Sequence, residues 1–129
     1  TDVAQALKFL SSTQKKKAIV FMISDFMADD YEHTLKIASK KHDITGIRVY
    51  DIREEKMPNI GMVPMLDAET GMTQLVNTGS KEVRMNYEKY YHQKVAYFKD
   101  MFSKSGSGVV NTRVDENYVT KLLGYFKSR

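Results

Sequence analysis

The chain has 129 residues, 42% of them hydrophobic and 28% charged, a size and balance that suit one globular domain with a real core. It contains no cysteine, which excludes disulfides and thiolate chemistry and suits a reducing, cytoplasmic setting. The net charge is +4, but 20 Lys and Arg interleave with 16 Asp and Glu, so no nucleic-acid partner is expected, and neither a membrane span of about 20 apolar residues nor a signal peptide is expected.

Residues 2–10 place Val3, Ala6, Leu7 and Leu10 at helical spacing behind Asp2, with Gln5 completing a variant capping box, and predict a helix that ends near Ser11 and Ser12. Residues 18–24, AIVFMIS, form an apolar run that predicts a strand buried on both faces, as in a parallel sheet covered by helices. The run stops at Ser24, Asp25 and Phe26. This puts Asp25 at the strand's carboxyl end, where ligands gather in open α/β sheets. Asp29 or Asp30 is expected to cap a second helix over residues 31–41, with Tyr31, Leu35 and Ala38 as its apolar stripe and Lys40 and Lys41 in its last turn. Residues 44–50 form the next strand. Two strands around one helix make a βαβ unit with parallel pairing.

After Asp51 the alternation breaks. Residues 62–66 and 72–76 flank a turn at 67–71 and predict an inserted β-hairpin, with Gly71 supplying a positive φ. A long helix is predicted over residues 80–104, with Val83, Tyr87, Tyr91, Val95, Phe98 and Phe102 on one face. Residues 109–114 form a third strand, and Asp115 is expected to cap a final helix that turns Val119, Leu122, Leu123 and Phe126 inward. The sum is a single three-layer α/β domain over residues 1–129, its strands mainly parallel and flanked by helices.

Parallel alignment of the three strands would gather Asp25, Asp51 and residues 112–115 at one edge, with Asp29, Asp30, Glu54 and Glu55 nearby. Oxygen ligands of this kind suit magnesium or calcium. The plainer role of Asp29, Asp30 and Asp115 is that of helix caps or solvated loop charges. His33, His42 and His92 are scattered and read as surface or helix-end residues. Ser24 lacks the G-x-S-x-G elbow of a hydrolase nucleophile. Tyr87, Tyr90, Tyr91 and Tyr97 could stack on bases, but their helical spacing favours core packing with an exposed rim. Met57, Met62, Met65 and Met72 are expected to fill an irregular core, the alternative being an adaptable binding surface.

The order TDVAQAL, AIVFMISDF, HDITGIRVYDIREEKMPNIGMV and LDAETGMTQLVNT, followed by a long basic helix, a short strand and a closing amphipathic helix, resembles the C-terminal portion of the bacterial domain of unknown function 58 family. That portion is similar to a von Willebrand factor A domain, and this chain corresponds to about its second half. The resemblance implies a partial, Rossmann-type sheet. It also implies a metal ion-dependent adhesion site in which Thr1 supplies the threonine and Asp25 the aspartate, while the D-x-S-x-S motif of the remaining loop is absent from residues 1–129. Magnesium is therefore expected only in a longer protein, and none in this chain alone. The start at Thr1 without an initiator methionine is read as that of an excised piece. The strand at 18–24 would then lack a neighbour, and self-association through the exposed sheet edge is expected. The function implied is a non-enzymatic protein-interaction domain working with a MoxR-type AAA ATPase in complex assembly or metal insertion. The alternative is a divalent-metal hydrolase in which Asp25 and Asp51 hold the ion.

Overall fold

In the computed structural model, which describes residues 2–67 and 70–129, the Asp2 carboxylate accepts the Gln5 N–H at 2.9 Å and opens α1 (Val3–Thr13). β1 (Ile19–Ser24), α2 (Glu32–Lys41) and β2 (Asp43–Tyr50) follow, and β1 pairs with β2 in parallel, from Ile19 opposite Asp43 to Ser24 opposite Arg48. A 3-10 turn, Ile52–Glu54, leads to the antiparallel hairpin of β3 (Met62–Leu66) and β4 (Thr73–Asn77). Ser80 then caps α3 (Lys81–Lys104), accepting the Val83 N–H, and β5 (Gly108–Arg113) and α4 (Tyr118–Ser128) complete the chain. β5 lies parallel along the far side of β2, so the sheet order is β1-β2-β5 and the hairpin stands apart as its own sheet.

Successive strand side chains alternate between faces, and this sorts the packing. Val20 and Met22 of β1, Ile44 and Gly46 of β2 and Val109 of β5 face the layer formed by α1, α2 and α3, where Leu7, Tyr31, Leu35, Phe98 and Phe102 make up the centre of the core. Gly46 is required there. A Cβ at this position would come within 2.5 Å of the Phe102 ring and 2.8 Å of Phe98, so only glycine lets α3 approach the sheet this closely. On the opposite face α4 forms the third layer, with the Tyr125 hydroxyl 3.1 Å from Thr45 Oγ1.

Five expectations are corrected. β1 is half-buried on one face and exposed on the other: Ile19 and Ile23 are 70% and 69% exposed, because α4 reaches over Phe21 alone, through an edge-on contact with Phe126. α4 has no buried residue, and Val119, Leu123 and Phe126 are exposed rather than inward. Its cap is Asn117, whose Oδ1 accepts the Val119 and Thr120 N–H groups, while Asp115 pairs with Arg113. The N-cap of α2 is Tyr31, without a side-chain hydrogen bond; Asp29 pairs with Lys94 and Asp30 sits at φ 57. The hairpin methionines Met62, Met65 and Met72 are exposed and fill no core. Gly71 does hold the positive φ expected of it, 73°, although residues 68 and 69 of that turn lie outside the described residues. Among the described residues no helix is long and apolar enough to cross a membrane.

Candidate functional site

The carboxyl edge of the sheet begins with a tight turn after β1. The Phe26 N–H donates to Ser24 Oγ and the Met27 N–H donates to Asp25 Oδ1, both at 3.0 Å. Short polar side chains that accept an N–H two residues on are turn builders, which explains why Ser24 and Asp25 follow the apolar run. Phe26 occupies the left-handed region at φ 56, and its fully buried ring is anchored on α3. Asp25 thus stands at the strand end, as the sequence indicates. Thr1, the other residue assigned to a metal by resemblance, lies outside the described residues.

The next strand carries the group that sequence reasoning missed. Ser24, Arg48 and Asn111 form one row across β1, β2 and β5, on the face covered by α3. Arg48 is only 5% exposed. Its Nε donates to Asn111 Oδ1 at 2.7 Å and its Nη1 donates to the Tyr91 hydroxyl at 3.2 Å. Its Cζ sits 4.1 Å over the Tyr50 ring, two residues farther along the same face, so the guanidinium leans toward the carboxyl edge. No ion pair among the described residues includes Arg48. Among the described residues its Nη2 has no hydrogen-bond partner. The sequence signal was a lone charge inside ITGIRVY, the strand that ends up at the centre of the sheet.

The acids expected at this edge are brought there as separate pairs. Asp51 is clamped by Arg53, whose Nε and Nη2 donate to it at 3.1 and 2.5 Å and whose N–H adds a third bond. These hydrogen bonds hold the Asp51 carboxyl well below the usual range, at about 2. Glu55 lies 3.2 Å from His92 Nε2, and the Glu54 carbonyl accepts the Tyr87 hydroxyl. Asp29 and Asp115 are paired as described above. Among the described residues no three His, Asp or Glu side chains converge as a metal-binding group, so these residues do not by themselves fit a hard cation. His42 closes α2 and is buried, its Nδ1 accepting the Ala18 N–H at 3.0 Å, whereas His33 is exposed. Tyr91 is buried, Tyr97 accepts the Tyr31 N–H, and Tyr90 is exposed, so the tyrosines divide into core and rim as their spacing predicts. Burial also pushes the Tyr31 phenol upward.

A second feature lies along β1. Its outer face presents Ile19, Phe21 and Ile23, with Phe21 against the exposed Phe126 of α4. Its inner face borders a groove of about 400 Å³ against α1, lined by Leu7, Leu10, Val20 and Met22 and reaching Ser24.

The family described as "Protein of unknown function DUF58" matches residues 1–97. An uncharacterised protein of Mycobacterium avium is 26% identical over 99% of this chain and 76% of its own length. An uncharacterised protein of Mycobacterium tuberculosis, and its counterpart in Mycobacterium bovis, are 22% identical over 99% of this chain, which spans only 40% of their length. The crystal structure of a conserved hypothetical protein BatB from Bacteroides thetaiotaomicron aligns with 99% of this chain and 58% of its own, at 12% identity and a TM-score of 0.41.

Proposed function

This chain belongs to the DUF58 family, and from that footing we propose that it is a non-enzymatic protein-interaction domain acting in the cytoplasm, with β1 as the surface that meets its partner. The observation that carries this reading is the open side of β1. Ile19 and Ile23 stand exposed on a strand paired along one edge only, beside further apolar side chains of α4. Soluble proteins rarely leave a contiguous apolar patch uncovered, and an open strand edge is a template for pairing with another chain.

The resemblance to a von Willebrand factor A domain supports a MoxR-type AAA ATPase as the partner and complex assembly as the process. It further supports a magnesium ion in a longer protein, near Thr1 and Asp25, with the missing ligands supplied from outside these residues. Two protein oxygens are too few for tight binding of a hard cation by this chain alone. The same open edge supports self-association by strand pairing between copies. The hydrolase alternative gains no such support, because Asp51 is occupied by Arg53.

The test is light scattering during gel filtration of the chain, alone and with the MoxR-type ATPase of its own organism. A complex with the ATPase is expected, lost in Asp25→Ala and in Ile23→Lys. Absence of a complex across the micromolar range, together with a monomeric mass for the chain alone, would overturn the proposal.

A further inference from the structure

We infer that Arg48 anchors an oxyanion site at the carboxyl edge of the sheet, shaped for a carboxylate carried by an acidic segment of a protein partner. The inference rests on the interaction-domain reading for the source of that carboxylate, while the site itself rests on the geometry around the guanidinium.

A buried positive charge without a counter-ion is costly even after relaxation. Arg48 is held with neutral partners only: the Asn111 side-chain oxygen, the Tyr91 hydroxyl and the Tyr50 ring face. If its role were to tie β2 to β5 and α3, an uncharged hydrogen-bonding side chain would do so without the cost of burying charge. These neutral partners take Nε, Nη1 and one ring face, and among the described residues Nη2 has no hydrogen-bond partner. A planar guanidinium already oriented by two hydrogen bonds and a stacked ring has lost most of its rotamer freedom. It is thereby prepared to grip a carboxylate.

The surroundings fit the same ligand. Ser24 is the neighbour of Arg48 in the row across the strands, and its Oγ accepts the Phe26 N–H, which leaves the hydroxyl proton free to be donated. The two acids closest in sequence, Asp51 and Asp43, are engaged by Arg53 and Arg129 and do not neutralise Arg48. The net charge of +4 attracts an acidic segment over a longer range.

The experiment follows the Nε–H resonance of Arg48 in the isotope-labelled chain at constant ionic strength. The probes are a glutamate-rich peptide, its glutamine counterpart and inorganic phosphate. A saturable shift with the glutamate peptide and none with the glutamine peptide is expected. Arg48→Lys, which keeps the charge but loses the fork, should bind the glutamate peptide about tenfold more weakly by calorimetry. Should that variant fail to fold, the titration of the unaltered chain still decides. A shift with phosphate alone keeps the oxyanion site but overturns the protein-borne source, and no shift with either anion overturns the site. If the chain binds the ATPase while Arg48 ignores the glutamate peptide, the oxyanion site falls and the interaction-domain reading stands. If Arg48 responds but no complex forms, the reverse holds.

Discussion

Phe26 lies nearly flat against Phe98, with ring centroids 4.3 Å apart and planes inclined by 24°, although its backbone occupies the left-handed region. The turn that carries Asp25 is therefore fastened to α3 by an aromatic contact and not only by its own hydrogen bonds. Phe26→Ala should destabilise the fold by about 3–5 kcal/mol through loss of a fully buried ring. Urea unfolding checks this, and a loss under about 1 kcal/mol would show that the ring does not anchor the turn.

Gly46→Ala places a methyl group against Phe98 and Phe102, neither of which has free space to retreat into. Overpacking of this kind costs about 1–3 kcal/mol. Phe102→Leu added to Gly46→Ala should cost less than the sum of the two single changes, because it makes room for the methyl. Thermal melting of the four chains in a double-mutant cycle measures that coupling.

The Asp51–Arg53 pair sets a pH dependence with a definite sign. The Asp51 carboxyl lies at about 2 in the folded chain, below its ordinary value of 3.8, so the folded state favours the ionised form. The resulting stabilisation is complete above the ordinary value and is lost as pH falls toward about 2. The pair is solvent-exposed, and its contribution is small. Urea midpoints of the unaltered chain and of Asp51→Asn, compared between about pH 2 and pH 5, should differ by a constant amount at the upper end and converge at the lower.

Asn117→Ala removes the side chain that caps α4 and should cost about 0.5–2 kcal/mol. α4 has no buried residue, so the loss should appear first as faster hydrogen exchange within that helix, ahead of any change in the core strands. Asp115→Ala should leave that exchange pattern nearly unchanged, since its carboxylate meets Arg113 and not the helix.

The parallel sheet, the hairpin and the long helix were legible because each has its own periodicity or turn chemistry, and the Asp2 cap stands directly before an apolar stripe. The caps of α2 and α4 were misplaced by one or two residues because Asp29, Asp30, Asp115 and Asn117 are all chemically able to cap, and side-chain partners, Lys94 for Asp29 and Arg113 for Asp115, decide between them. The run IVFMIS is apolar at every position but the last. Nothing within it could say that Ile19 and Ile23 would find no cover. At the candidate site Asp25 was found from its place after a strand, whereas Arg48 was passed over because a charge in a strand reads as solvent-facing until the neighbouring layers are known. The expected carboxylate cluster failed for a related reason. Asp29, Asp51, Glu55 and Asp115 each meet a basic side chain instead of one another, and the helical and strand periodicity of the sequence does not reveal such pairs.

The order β1-β2-β5 also shapes how the chain reaches its native state. β1 and β2 are joined by α2 alone and can pair early. By contrast, Arg48 and Asn111, neighbours across the β2–β5 ladder, are 63 positions apart, with the hairpin and all of α3 between them. Closing so long a segment costs more chain entropy than closing the first unit, so β5 should join last. Until it does, Arg48 lacks Asn111 and the second edge of β2 is open. Folding intermediates of this chain would therefore expose the edge of β2, which β5 covers in the native sheet, and the yield on refolding should fall steeply as concentration rises.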